Sequence, residues 1–468
     1  MSRGLCWIRR DLRLSDHRAL FEACEEFSEV AVVFVFDTNI LEKLENRADR
    51  RVSFILRSLE EIDSNLAKFG SSLIILHGDP SVEIQKLVAD LKIDGVIAAR
   101  DWEPYASQRD QIVSASLAKI GASFRTVKDQ VIFEKGEILT KSESAFRVFT
   151  PYSRRWLERL EEVRFAYRYD PDLSKLLPRS VIQPHSLELD FSVIGFEPCE
   201  TWVAAGEAAG LDLLQNFESR IDQYGDLRDI PCVNGTSHLS VHLRFGTVSA
   251  REAVRSALRH TSIGAKKWLT ELIWREFYQD ILANYPHVVE STFDPVFANL
   301  RWPGSEEHFV TWKLGQTGFP IVDAAMRCFA DTGWMHNRLR MIVASFLTKD
   351  LLVDYKKGEA YFASLLLDFD LASNNGGWQW AASVGCDAQP YFRIFNPHLQ
   401  SQRFDGDGTF IRRWVPELTL LDDNAIHCPS PFDCELTGYT LPIVEHNVQR
   451  KLVIAMFERA KRNFDQDS

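Results

Sequence analysis

The sequence predicts an α/β fold followed by an all-α one: an amino-terminal doubly wound parallel sheet, a long connector and a carboxy-terminal all-helical domain. Three observations predict it. Short β-rich runs alternate with helix-period segments over residues 1–130, the pattern of a parallel sheet wrapped by helices. Residues 131–200 lose that rhythm and carry Pro171, Pro178, Pro184 and Pro198, which suits a connector on the surface. From 201 to 468 the period is mainly helical. A chain of 468 residues also exceeds one ordinary core, so division is expected on length alone.

Within the first part, strands are expected at 5–9, 30–36, 73–76, 95–99 and, more weakly, 124–127. Helices are expected between them at 17–25, 51–68, 81–91 and 106–118. Crevices at the carboxyl ends of such strands commonly take ligands. The first turn, Arg9-Arg10-Asp11-Leu12-Arg13, has no Gly-x-Gly-x-x-Gly loop, which argues against ordinary dinucleotide binding there. The clearest later helices are 265–283, 319–331, 337–350 and 444–460.

Hydrophobic residues make up 45% and charged residues 26%, a globular balance. A net charge of −12 disfavours non-specific nucleic-acid binding. A local basic patch stays open, because a cleft feels its nearest charges most. Arg338, Arg340, Arg393, Arg403, Arg412 and Arg413 are its candidates, with solvated surface arginines as the alternative. The 8 cysteines form no Cys-x-x-Cys unit, so reduced thiols and no metal are expected. The start shows no signal-peptide pattern, and no apolar run reaches the roughly 18–20 residues that a bilayer requires. The expectation is a cytoplasmic monomer without a membrane contact.

Four stretches carry chemistry-bearing side chains. Gly235-Thr236-Ser237-His238-Leu239-Ser240 sets hydroxyls and free N–H groups at an expected helix start. Such a place attracts phosphate, or is simply capped. In 267–278, Glu271, Trp274, Arg275 and Tyr278 share one helix face, offering a carboxylate, a ring and a cation together. A Glu271–Arg275 surface pair beside a core tryptophan is the alternative. In 334–341, Trp334 and Arg338 are four apart, as are Asn337 and Met341, so amide, guanidinium and thioether border one cavity. His336 reads as structural. In 368–380, Asp368 and Asp370 either bind polar ligand groups or cap a helix. Asn374-Asn375-Gly376-Gly377 reads as a turn, and Trp378 and Trp380 point in different directions.

Together with Trp7-Ile8-Arg9-Arg10-Asp11-Leu12-Arg13, these motifs resemble the photolyase–cryptochrome family over almost the whole chain. The runs Trp334-Met335-His336-Asn337-Arg338-Leu339-Arg340-Met341 and Asn374-Asn375-Gly376-Gly377-Trp378-Gln379-Trp380 are similar to class I cyclobutane pyrimidine dimer photolyases. The (6-4) photolyases typically carry paired histidines where this chain has His336-Asn337. Plant cryptochromes usually carry an acid where it has Asn374.

The resemblance implies a carbon–carbon lyase that repairs pyrimidine dimers in DNA under light. It implies a folded-back FAD in the helical domain, with Tyr224, Thr236, Ser237, Leu239 and Ser240 on its phosphate side and Trp268 and Arg275 nearby. Asp368, Asp370 and Asn374 would meet the ribose and flavin. A dimer flipped out of the duplex would be held by Glu271, Asn337 and Met341 and stacked on Trp274 and Trp380. Arg228, Arg338, Gln400 and Arg403 would hold the flanking DNA. Excited reduced flavin would lend the dimer an electron, and the cofactor would do the hard chemistry.

A light sensor that signals through a partner is the family's other activity. Glu271, Asn337 and Met341 are repair-type residues, and only 463–468 follows the last basic helix residues, both of which argue against it. A helical protein that binds nucleic acid without a cofactor leaves Asp368, Asp370 and Asn374 unexplained.

The chain departs from the family pattern twice. Family photoreduction commonly runs through three tryptophans. Trp378 and Trp302 match the inner and outer ones, but Tyr355 stands in the middle. Tyrosine oxidation normally requires loss of a proton, so weakened or rerouted photoreduction is expected, with Trp312 as the bypass and repair intact. Second, Tyr105-Ala106 stands where folate-binding relatives carry an asparagine–glutamate pair. Trp102-Glu103-Pro104-Tyr105 with Arg109-Asp110 is more similar to deazaflavin-binding members. Asp37, Arg51, Asp101 and Glu103 are candidate contacts to an antenna chromophore, deazaflavin-type or methenyltetrahydrofolate. An empty antenna site is the alternative.

Overall fold

The computed structural model describes residues 2–163, 165 and 168–467. Met1 and Ser468, at the ends of the two terminal segments read above, lie outside the described residues. Contacts divide the chain into two compact units. The first gathers Met1–Phe146, Thr150–Asp222 and Ser237–Ala283; the second gathers Arg147–Phe149, Gln223–Thr236 and Asn284–Ser468.

The first unit is built on five parallel strands: β1 (Arg3–Ile8), β2 (Glu29–Asp37), β3 (Leu73–Gly78), β4 (Gly95–Ala99) and β5 (Ser123–Val127). Their order is β3-β2-β1-β4-β5, with Cys6 of β1 opposite Val32 of β2 and Ile97 of β4. The order reverses between β1 and β4, the switch point where such sheets open a crevice. On one face, Leu5, Trp7, Val33, Ile74 and Val96 pack with Ile84, Leu87, Val113 and Leu117 from the helices Pro80–Leu91 and Pro104–Ala118. Their alternates Cys6, Val32 and Phe34 are buried too, so both faces are covered and the runs are apolar throughout. β5 lies at the edge and alternates exposed with half-buried residues, which is why its sequence signal is weak.

The proline-punctuated stretch holds a helix of 14 residues, Phe149–Glu162. Pro151 sits in its first turn, where a proline leaves no hydrogen bond unmade. Tyr152, Trp156 and Leu160 recur at helical spacing and are buried. That helix precedes Pro171, Pro178, Pro184 and Pro198, which punctuate only the later part of the stretch.

A buried ion cluster closes the first unit's interior. Asp16 accepts from Arg251, Arg255 and Ser249, and Asp129 accepts from Arg13 and Arg251. Burial pushes the Asp16 carboxyl up, but Arg251, Ser249, Arg13 and Arg255 together outweigh it and hold the pKa at about 2.

The second unit is helical, with a core around Trp312, Phe329, Leu347, Phe362 and Trp378. The helix expected over 337–350 is an α-helix, Asn337–Ser345, followed by one π turn, Phe346–Asp350. The wider turn lets Lys349 bury its ammonium against the Ala382 carbonyl at 3.1 Å and the Ser383 hydroxyl at 2.9 Å. Burial lowers that lysine's pKa to about 7. Helix Pro320–Thr332 is pinned through Asp323, which accepts from Thr317, Gly318 and the Tyr439 hydroxyl. Among the described residues, no helix is long and apolar enough to cross a membrane.

Candidate functional site

The segment read as a turn is helical. Asn374, Asn375, Gly376 and Gly377 all lie inside the helix Leu371–Ala382. Tertiary contacts override the local turn propensity. Asp370 caps the helix, accepting from Ser373 N at 2.9 Å. Asn375 and Gln379 turn their amides into the unit and donate to the Val288 carbonyl at 3.0 and 2.8 Å. Trp378, on the same buried side, packs on Phe362 and Trp312.

An adjoining side of this helix carries Asp370, Asn374 and Gly377, related by helical spacing. Asn374 donates to the Glu359 carbonyl at 3.1 Å, which fixes its amide. A Cβ built on Gly377 would meet nothing within 4 Å, so this side has room. Asp368, just before the cap, is ion-paired to Arg340 at 2.8 Å and nearly buried. Glu359 also accepts from Asn375, and burial lifts its carboxyl to about 7.

Asn337, Arg338 and Met341 come together as their spacing predicts. The Met341 sulfur lies 3.9 Å from Asn337 Nδ2 and 3.8 Å from Arg338 Nη1. Arg338 also donates to Asp229 at 2.8 Å, and its guanidinium lies 4.5 Å over the Phe404 ring. Its Nε is buried and has no hydrogen-bond partner among the described residues. Arg403 lies over the same ring at 5.1 Å, and Gln400 is one turn before it on helix Pro397–Phe404. Arg228 approaches Asp229 at 3.9 Å and covers the Tyr224 ring at 5.2 Å. His336 is structural, as read: its Nδ1 accepts from Arg338 N at 3.2 Å at the helix start. Gly235, before Thr236, is pressed against Leu227, whose carbonyl oxygen would lie 2.4 Å from any added Cβ.

In the first unit, the helix expected near 236–240 is Ser240–Phe245. Leu239 is its N-cap, and no side chain caps it. The Ser237 hydroxyl accepts from Leu239 N at 3.4 Å. Trp268, Glu271, Trp274 and Arg275 lie on the helix Ile263–Asn284. Trp268 is buried against Phe217 at 5.0 Å. Trp274 is half-buried beside Tyr278 at 5.6 Å. Arg275 donates to the Gln130 and Leu243 carbonyls at 2.8 and 3.2 Å. Glu276, which the sequence reading passed over, pins this helix. It accepts from Ile132 N, Phe133 N and Trp156 Nε1 at 2.6, 2.9 and 2.5 Å. Burial pushes its pKa to about 7 against those three donors. Asp229, Glu359 and Gln379 were also passed over. Only Gln379 carried a signal, standing between two tryptophans.

At the carboxyl end of the sheet the groups pair with one another. Asp37 accepts the Tyr105 hydroxyl at 2.6 Å. Arg10 binds Asp101 at 3.2 Å and Glu103 at 2.7 Å. Arg51 pairs with Asp49, the cap of its own helix. Among the relay candidates, Trp378, Trp312 and Tyr355 are buried, while Trp302 is half-buried beside Phe457.

A family model described as DNA photolyase matches residues 4–172, and one described as the FAD binding domain of DNA photolyase matches residues 268–459. A deoxyribodipyrimidine photo-lyase of Vibrio cholerae is 39% identical, covering 98% of this chain and 99% of that one. The solved structure of a bacterial class III photolyase from Agrobacterium tumefaciens is 33% identical with a TM-score of 0.88, covering 99% of this chain and 98% of that one. An archaeal photolyase from Sulfolobus tokodaii, solved with two FAD molecules, is 32% identical with a TM-score of 0.82, covering 98% of this chain and 100% of that one.

Proposed function

The chain belongs to the photolyase–cryptochrome family, and on that premise we propose that it repairs cyclobutane pyrimidine dimers in DNA under light, with FAD as its chromophore. The match to the FAD binding domain carries the reading, because residues 268–459 span both the open-sided helix and the Asn337–Arg338–Met341 cluster. The residues fit a flavin nucleotide. Helix Leu371–Ala382 has open space at Gly377, with Asp370 and the fixed Asn374 amide at helical spacing from it. FAD, when bound, supplies the light-driven electron that opens the dimer.

The protein's own residues bind and orient. Asp368, Asp370 and Asn374 would hold the ribose and ring. Tyr224, Thr236, Ser237, Leu239 and Ser240 would hold the phosphates, with Trp268 and Arg275 nearby. Asn337 is exposed at the first turn of its helix, where its amide, lying 3.9 Å from the Met341 sulfur, would meet a base edge. Glu271 and Met341 would complete that contact, and Trp274 and Trp380 would offer ring faces to the extruded bases. Arg338 would meet a phosphate or sugar oxygen of the flanking DNA, beside Arg228, Gln400 and Arg403. This local cationic group would offset the unfavourable net charge of −12.

We extend the proposal to a monomer acting in the cytoplasm, which the eight free cysteines suit. Asp37, Arg51, Asp101 and Glu103 would contact a second chromophore of the deazaflavin or folate class. The deciding experiment is dimer repair in a defined oligonucleotide under blue light, with a dark control. Absence of repair by protein carrying reduced flavin would sink the reading. Glu271→Ala should lower repair at least about tenfold, or roughly 1.4 kcal/mol, while flavin stays bound.

A further inference from the structure

A chain of aromatic contacts in the second unit runs from Trp378 toward the surface and bypasses Tyr355. Among the described residues, the ring partners of Trp378 are Trp312, at 6.2 Å between centroids, and Phe362, at 5.0 Å. Trp312 is fully buried and is held by its Nε1–H, which donates to the Val343 carbonyl at 3.2 Å. Its next ring neighbour is Tyr361, edge-on at 5.9 Å. Tyr361 is half-buried, so the chain ends where solvent begins. Phe309 and Phe329 brace Tyr361 edge-on at 6.5 and 5.7 Å.

The other branch lacks these features. Tyr355 is 2% exposed, and among the described residues its hydroxyl has no hydrogen-bond partner to take a proton. It lies one turn before Gly358, which seats the edge of the Trp378 ring, but it is not itself a ring partner of Trp378. Trp302 meets Phe457 at 6.2 Å, and Phe457 meets Tyr391 and Phe297; among the described residues none of these rings is a partner of Trp378.

We propose that Tyr361 is the terminal electron donor of a Trp378–Trp312–Tyr361 relay, and that Tyr355 and Trp302 lie off it. The inference rests on the reading that flavin binds beside helix Leu371–Ala382. Light-excited oxidised flavin is the oxidant. Trp378 gives up one electron, Trp312 refills Trp378, and Tyr361 refills Trp312. The Lys313 ammonium lies 5.8 Å from the Tyr361 ring centre and opposes a ring cation there. The phenolic proton therefore leaves to water, and a neutral tyrosyl radical remains. The net change is one electron moved from Tyr361 to the flavin and one proton released. A soluble thiol then returns an electron and a proton to Tyr361. No bond between heavy atoms forms or breaks.

The test uses flavin-loaded full-length protein, illuminated with a thiol reductant. It reads flavin bleaching and, in protein carrying ring-deuterated tyrosine, the tyrosyl signal by electron paramagnetic resonance. Tyr361→Phe should abolish that signal and slow bleaching at least tenfold. Chemically pre-reduced Tyr361→Phe should still repair dimers at the parent rate, which a general structural defect would not allow. Trp312→Phe should lose the signal as well. Tyr355→Phe and Trp302→Phe should keep it. Should Trp312→Phe fail to fold, the conservative Tyr361→Phe decides alone. A tyrosyl signal that survives Tyr361→Phe, or that disappears in Tyr355→Phe, overturns the relay while leaving the repair reading intact. Parent protein that binds no flavin overturns both.

Discussion

The carboxyl end of the sheet and the open side of helix Leu371–Ala382 treat their polar groups in opposite ways. At the sheet, Arg10 is matched to Asp101 and Glu103, and Tyr105 to Asp37. Deeper in that unit, Asp16 pairs with Arg251 and Arg255, and Asp129 with Arg13 and Arg251. In the helical unit the amides of Asn375 and Gln379 are used on the buried side, while Gly377 leaves the other side clear. The Asn374 amide is held in place by the Glu359 carbonyl. A region that has neutralised its own charges must lose pairs before it accepts a ligand. A region with fixed, open polar groups is already organised for one.

The sharpest break of this contrast is Arg251→Ala. It strips the shared cation from Asp16 and Asp129 and should destabilise by about 3–5 kcal/mol in urea unfolding at neutral pH. The pH dependence has a definite sign. The folded pKa of Asp16 is depressed to about 2, so its contribution is present above the unfolded value and fades as pH falls from roughly 4 through that value. The variant should show a flatter acid limb.

Gln379→Ala tests the buried side of the open helix. It removes donors to Val288 and Ser291 and an acceptor for Phe293 N, and should cost about 2 kcal/mol in thermal or urea unfolding. Gly377→Leu probes the other side. It should cut flavin retention about tenfold, roughly 1.4 kcal/mol, with the fold intact by circular dichroism. Gly377→Ala should keep the flavin and gain up to about 1 kcal/mol of helix stability. Equal flavin loss in the two would mean that the clear side is not the binding side. The smallest effect belongs to Tyr105→Phe, which breaks one pair at the sheet. It should cost about 1 kcal/mol and leave flavin content unchanged.

Much of the site was legible because short helical spacing alone relates its members. Asn337, Arg338 and Met341 lie within one turn and meet as expected. Asn374–Gly377 was misread because Asn and Gly favour turns locally, whereas the helix there is secured by Val288 and Glu359 from distant parts of the chain. Arg340 reads in sequence as a basic-patch candidate or a solvated surface arginine, and is the partner of Asp368. Glu276 carried no local sign of its three donors, which come from residues 132, 133 and 156.

The sequence by itself determined the five parallel strands, because strands buried on both faces need apolar runs and the runs are written in the chain. It also determined the most strongly periodic helices and the residues that three- and four-residue spacing aligns. Only the tertiary structure decided which side of Leu371–Ala382 stays open, which carboxylate each arginine meets, and which rings continue from Trp378. Those choices depend on groups far apart in the chain, and their contacts exist only once the helices have packed.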